Sequence, residues 1–465
     1  MKTEERTEQR TEPESGRRGG GRADLAAAGG AVLLVAAAVL VGRNIADYAR
    51  VLYVHWPPLL ASWYPHIGPG TAAAPAVAVA VVAYGPGLAA RLRWRTLLAV
   101  CWGASLAWVF SLALIDGWGR GIAERLTTKH EYLRVIGRFD DIGAALRGFN
   151  DHILIGPPGN WPAHVAGHPP GATLTFVLLD RVGLGGGAWA GVWCIVTGTT
   201  AAVAALVAVR VLTDERTARR AAPFLVLAPV AVWAGTSADG YFAAVAAWSV
   251  ALLALAATGK VRSPAAAALG SGLLYGLTCY LSYGLALIAL PLLTVLLLAR
   301  TARPVPLLVL GALVVPAAFT LAGFNWWEGY HLLVERYYQA AGGFRPYWYW
   351  VWANLACTAI AIGPATVAGL RRTATAVPGA LNALRTGAPA EPQRRLVLLV
   401  LAAFLMLLAA DLSGMSKAET ERIWQPFMLW LLPAAALLPD RGRRGWLAAQ
   451  AAVALLVNHL LWTGW

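Results

Sequence analysis

Three polar segments hold most of the side chains that could move a proton or hold a phosphate. The first, 116–171, begins at Asp116 and contains Lys129-His130-Glu131-Tyr132, then Phe139-Asp140-Asp141, then Trp161-Pro162-Ala163-His164 and His168-Pro169-Pro170-Gly171. The second is a pair of tight turns, Thr236-Ser237-Ala238-Asp239-Gly240-Tyr241 and Tyr280-Leu281-Ser282-Tyr283-Gly284. The third, 411–427, mixes both charge signs in Ser416-Lys417-Ala418-Glu419-Thr420-Glu421-Arg422. A carboxylate within hydrogen-bond reach can take the proton of a hydroxyl nucleophile as its bond forms. A planar guanidinium can grip a phosphate through two parallel hydrogen bonds. Each residue also has a structural alternative. Glu131 could pair with Lys129 or Arg134, His168 could hydrogen-bond at the start of a helix, Asp239 could cap one, and Glu421 and Arg422 could pair with neighbours.

The elements that must position these groups are set by composition. Of 465 residues 58% are hydrophobic and 13% charged, about half the usual charged fraction of a soluble domain. Apolar runs long enough to cross a bilayer recur along the chain. They predict spans at 24–42, 71–90, 96–115, 186–209, 221–236, 241–258, 265–281, 284–300, 304–322, 347–369, 396–411, 424–439 and 446–464. The fold class is therefore an all-α polytopic membrane protein with about thirteen transmembrane helices. The intervals 91–95, 210–220, 259–263, 300–303, 370–395 and 440–445 hold 19 Lys and Arg against four acids, whereas the opposite segments hold 13 against 14. By the positive-inside rule the first set is cytoplasmic. That places the N-terminus inside, the C-terminus outside and the three polar segments outside.

The same pattern accounts for the net charge of +14 without nucleic acid. Residues 1–23 read as a disordered cytoplasmic tail. Cys101, Cys194, Cys279 and Cys357 all fall in apolar spans and suit neither a disulfide framework nor a metal site. Aromatic clusters such as Asn325-Trp326-Trp327 and Tyr347-Trp348-Tyr349-Trp350 read as an interfacial belt or as a platform for sugar rings or a lipid tail. Pieces of 116–171, such as 141–149, have partial helical periodicity and read as short helices lying along the membrane surface. The stretch 172–179 is too short to span and reads as a re-entrant or interfacial helix ending at Asp180-Arg181.

His130-Glu131-Tyr132, followed 37 residues after Glu131 by His168-Pro169-Pro170, resembles the GT-C class of integral-membrane glycosyltransferases, in the branch of protein O-mannosyltransferases and aminoarabinose transferases. Those enzymes carry an acidic pair in a large outer loop and a His-Pro-Pro or Lys-Pro-Pro at the start of a later helix. Here His130 stands in place of the first acid, and Gly171 follows Pro-Pro where Leu is frequent. Glu421-Arg422-Ile423-Trp424 resembles a late Glu-Arg segment in actinobacterial membrane proteins of this type. The Ala-, Gly- and Arg-rich composition resembles that of a high-GC actinobacterial protein and suggests a plasma-membrane location. The family resemblance implies an enzyme that moves a sugar from a polyprenyl-phosphate carrier to an extracytoplasmic glycan, lipid or protein, with inversion at the anomeric carbon. It implies a GT-C-like catalytic module over 96–322 including the loop 116–171. Two added spans over 24–95 precede it, and C-terminal spans over 323–465, with outer loops 323–346 and 412–423, follow it. Glu131 is the expected general base, with Asp140, Asp141 and Asp116 in reserve. Arg422, Lys417 and His168 are expected at the carrier phosphate, and Tyr132, Asp239 and Glu421 in substrate binding. A divalent metal is compatible with the outer acids and histidines, although no metal-ligand spacing assigns one. The competing readings are a transporter or flippase for a lipid-linked sugar and a noncatalytic cell-envelope assembly protein. Against transport stand span interiors nearly free of charge.

Overall fold

The computed structural model describes residues 14–386, 388 and 391–464. Of the expected tail, residues 1–13 lie outside the described residues. Helix α1 (Glu14–Arg43) begins well before the predicted span and takes in the rest of that tail. There follow α2 (Ala73–Arg91), α3 (Trp94–Ala113), α4 (Pro170–Arg181), α5 (Gly187–Leu212), α6 (Glu215–Val226), α7 (Ala238–Thr258), α8 (Pro264–Leu281), α9 (Val305–Leu321), α10 (Trp326–Gln339), α11 (Tyr347–Arg385), α12 (Pro392–Leu412) and α13 (Arg443–Leu460).

Each of the thirteen predicted spans coincides with helix over much of its length, but the expected count is not reached. Among the described residues eight helices are long and apolar enough to cross a membrane, and nine if α9 and α10, bent by 78° to one another, count as one. Proline explains part of the shortfall, since it lacks a donor and clashes with the preceding turn. The span expected at 221–236 divides beside Pro229 into α6 and Ala231–Ala234. That at 284–300 opens as a 3-10 turn, Tyr283–Ile288. That at 424–439, with Pro426 and Pro433, divides into Gln425–Met428 and the 3-10 turn Leu432–Leu437. The last, α13, is made less apolar by Gln450, Asn458 and His459, and its end is extended: Leu461–Thr463 pairs antiparallel with Ala61–Trp63.

The two sets of segments that charge separated are each tied together. On the basic side Arg219 donates to the Ala89 carbonyl (2.6 Å), Lys260 to Val211 (3.2 Å), Arg395 to Leu212 (3.3 Å) and Arg300 to Ala388 (2.8 Å). Arg220 meets Asp440 at 3.1 Å, and Asp24 of α1 is held by Arg371 and Arg372 of α11 at 2.9 and 2.6 Å. On the other side His66 meets Asp116 (2.8 Å), the Leu60 amide donates to Glu421 (3.0 Å), Arg336 to the Trp161 carbonyl (3.1 Å) and Arg345 to the Lys417 carbonyl (2.7 Å).

The core centres on α7, the most enclosed of the long helices, whereas α1 and α2 are largely uncovered. The segment 116–171 is a chain of short helical turns, among them Tyr132–Phe139, Ile142–Arg147 and Ala163–Ala166. Asn150 fastens it to α10 by donating to Glu328 at 3.0 Å and to the Asn325 carbonyl. The twelve-residue α4 matches the short helix expected after Pro169-Pro170. Gly171 has a packing cause: a Cβ there would lie 2.5 Å from the Tyr280 carbonyl oxygen, so a larger residue would push α4 off the end of α8.

A buried charged cleft as the candidate functional site

Residues from four remote parts of the chain line one small cleft: Arg125, Thr128, Glu131 and Tyr132 from 116–171, Thr236 and Ser237 from the turn before α7, Arg422, and Gly464. Its free volume is about 30 Å³, room for roughly one water molecule.

Glu131 is 5% exposed and follows a turn closed by its own amide to the Thr128 carbonyl. One carboxylate oxygen, Oε1, meets His164 Nδ1 at 2.8 Å, so neither Lys129 nor Arg134 is its partner. The other, Oε2, is buried and accepts no hydrogen bond. Burial alone would raise the carboxyl's pKa. His164, followed by the Arg422 charge and His168, outweighs it and holds the group below its ordinary value, hence ionised at neutral pH. An ionised buried oxygen without a donor is costly and is the natural place for a ligand hydroxyl.

Asp239 sits in the first turn of α7, where Ser237, not Asp239, caps the helix: Ser237 Oγ accepts from the Asp239 amide and donates to its carboxylate, both at 3.1 Å. That carboxylate meets Arg422 Nη1 at 2.5 Å, and Arg422 Nη2 lies 3.6 Å from Glu419. Although Arg422 is buried, Asp239, Glu419 and Glu131 together keep its guanidinium firmly charged. Glu419 is shared with Arg345 at 3.1 Å. The expected phosphate ligand is thus already committed to two carboxylates, with Glu419 the looser partner.

His168 has its Nδ1 2.7 Å from the His164 carbonyl and 3.1 Å from the Tyr132 hydroxyl. A carbonyl can only accept, so Nδ1 carries the proton and Nε2 the lone pair. Burial brings the imidazole pKa down to about 4, which keeps it neutral. The local bond expected at the start of a helix is present. Since Nδ1 already donates, the Tyr132 hydroxyl accepts there, and its own proton is left for a cleft ligand. Burial, with Asp239 and Glu131 close by, pushes that phenol well up, so it stays protonated.

Neither His168 nor Asp239 is among the residues that line the cleft, and the remaining expected residues do not line it either. Asp140 and Asp141 are exposed, and Asp141 caps Ile142–Arg147 by accepting from the Ala144 amide at 2.9 Å. Asp141→Ala is expected to cost about 1 kcal/mol of stability, as loss of an N-cap does, and to leave any chemistry of the cleft unchanged; thermal unfolding beside an activity assay checks both. Asp116 is engaged by His66 (2.8 Å) and Arg125 (3.1 Å). Lys417 donates to the Gly342 carbonyl at 2.8 Å and lies over the Tyr338 ring. Glu421 is fully buried: Oε1 accepts from the Leu60 amide and Oε2 has no partner.

Burial pushes the Glu421 carboxyl from its ordinary 4.5 up to about 7. Between those values the folded chain binds more protons than the unfolded one, so stability falls as pH rises through about 7. Glu421→Gln keeps an acceptor for Leu60 and removes the charge. Its thermal midpoint should lose that pH dependence and exceed the wild type's above pH 7; a midpoint that still falls in parallel with the wild type would refute the assignment.

Sequence reasoning quoted His164 and Glu419 within the polar segments but gave them no role, and it passed over Arg125 and Arg345. The four-residue spacing of His164 and His168 was a visible signal, since one turn brings such residues together; the arginine pairings had none. Among the described residues no three His, Cys, Asp or Glu side chains converge as metal ligands would. No protein-family model matches the chain, and no curated protein is significantly similar to it.

Proposed function

We propose that the protein is a plasma-membrane glycosyltransferase of GT-C-like architecture, with the cleft on the extracytoplasmic face. Its donor is a sugar on a polyprenyl phosphate, and its acceptor is a hydroxyl of an extracytoplasmic glycan, lipid or protein. The observation that carries this reading is the buried, ionised and unpartnered Glu131 Oε2 in a cleft that also contains Arg422. In the reaction Glu131 Oε2 accepts the acceptor's proton while the acceptor oxygen bonds to the anomeric carbon. The bond from that carbon to the phosphate oxygen breaks on the opposite face, and the lipid phosphate leaves with the electron pair, so the anomeric centre inverts. Tyr132 donates a hydrogen bond to a sugar oxygen. Arg422 exchanges Glu419, its looser partner, for the departing phosphate, and this exchange widens the cleft.

The direct test is a photoreactive polyprenyl-phosphate sugar added to the purified protein in lipid nanodiscs. Labelled peptides are expected from the 125–132 and 419–425 regions, together with transfer of sugar to a supplied acceptor. Labelling confined to the lipid-facing helices, with no transfer from a panel of hexose and pentose donors, would overturn the reading. Movement of the intact donor between leaflets without transfer would make the protein a flippase instead.

A further inference from the structure

A second and larger cleft, of about 420 Å³, opens at the basic end of the bundle, between α2, α6 and the start of α13. Arg216, Arg219, Arg220 and Arg443 line it, against only two acids, Glu215 and Asp440. The four arginines are not equally occupied. Arg219 is spent on Glu215 and the Ala89 carbonyl, and Arg220 on the Ala436 and Leu438 carbonyls and Asp440. Arg443 shares Asp440 with Arg220, and its Nε is buried without a hydrogen bond. Arg216 is exposed and has no ion-pair partner among the described residues. Arg220 and Arg443 are pressed toward losing their protons by burial first, and then Arg220 by the Arg443 charge and Arg443 by the Arg216 charge. Two cations in excess around one opening call for an anion.

The rest of the lining says which kind. Pro86, Ala90 and Pro223 form an apolar wall. Two of these belong to α2, a largely uncovered helix that exposes Val79, Tyr84 and Leu88 along its length. A free phosphate has no use for such a wall, whereas an amphiphile fits both halves. Basic clefts between spans on the positively charged side suit acidic lipid headgroups.

We propose that this cleft binds the headgroup phosphate of an anionic phospholipid, with Arg216 and Arg443 as its principal ligands and the Pro86–Ala90–Pro223 wall against the first carbons of the lipid. The site is independent of the chemistry proposed for the Glu131 cleft at the other end.

The test uses the full chain in nanodiscs of phosphatidylcholine alone, of phosphatidylcholine with phosphatidylglycerol, and of phosphatidylcholine with inorganic phosphate in the buffer. Thermal unfolding and native mass spectrometry of retained lipid are the readouts. Phosphatidylglycerol should raise the unfolding midpoint and stay bound, and inorganic phosphate should do neither. Arg216→Gln and Arg443→Gln should each weaken phosphatidylglycerol retention about five-fold. Arg262→Gln, an equal charge change in an exposed loop outside the cleft, should leave retention unchanged. Asp440→Asn frees the cations it now holds and should tighten retention, so the site stays testable even if an arginine variant folds poorly. Equal weakening by Arg262→Gln would reduce the effect to general surface charge. Inorganic phosphate matching phosphatidylglycerol would replace the lipid with a soluble anion. Either result, or an Asp440→Asn variant with unchanged retention, overturns the proposal.

Discussion

Glu131→Gln is expected to lower sugar transfer by about 10²- to 10⁴-fold, the usual contribution of a general base, in a protein that still folds. Glutamine has the shape of glutamate and keeps an oxygen for His164, so the 2.8 Å contact can survive. What it loses is a negatively charged oxygen able to take a proton. The buried Oε2 accepts no hydrogen bond, so the substitution breaks no second contact there, and a folding defect of similar size is not expected. Because His164 and Arg422 overcome the effect of burial and hold the carboxyl below its ordinary value, wild-type activity should be flat through neutral pH and fall only on acidification, as the base is protonated. Stability follows the same sign: the contribution of a depressed carboxyl is present above its unfolded value and lost as pH falls through the folded one. Transfer measured per mole of purified protein, beside the unfolding midpoint, separates chemistry from folding. Wild-type turnover in Glu131→Gln would remove Glu131 from the role.

The helical scaffold was legible because apolar periodicity and loop charge are local properties of a sequence. They located the apolar helices and grouped the loops that the hydrogen bonds join, but they left α10 in an outer loop and the start of α1 in a disordered tail. They overstated the number of full spans, in two cases because Pro229, Pro426 and Pro433 interrupt apolar runs without making them polar. Of the site, Glu131, Tyr132, His168, Asp239 and Arg422 were all named from residue type and neighbourhood, and the structure brings Glu131, Tyr132 and Arg422 to one cleft and Asp239 onto Arg422. Where the reading went astray, backbone direction was the reason. Ala418 and Glu419 both take positive φ, 74° and 63°, a region that non-glycine residues seldom adopt. The reversal sends Lys417 toward α10, Glu421 toward the Leu60 loop and Arg422 into the cleft, although the three lie within six residues. No periodic pattern anticipates such a turn. Asp140 and Asp141 had the right chemistry and the wrong exposure, a distinction that composition does not carry.

Arg422→Ala is expected to destabilise the protein by about 3–5 kcal/mol, the scale for breaking a buried ion pair from one side. Asp239 is 4% exposed and Arg422 6%, so the abandoned carboxylate would keep its charge in a site that water barely reaches. Asp239→Asn should cost a similar amount by stranding the guanidinium, softened by the Glu419 contact at 3.6 Å. The double variant Asp239→Asn/Arg422→Ala should then lose much less than the two single losses together, because neither charge is left behind. A coupling of several kcal/mol in that cycle is the signature of a shared buried pair; additive losses would mean that the two residues act separately. The double variant also separates structure from chemistry. It retains Glu131 and its His164 partner but lacks the cation proposed for the carrier phosphate. A folded double variant with a raised donor requirement would place Arg422 at the phosphate, whereas an unchanged donor requirement would leave Arg422 only the task of neutralising the carboxylates that surround it.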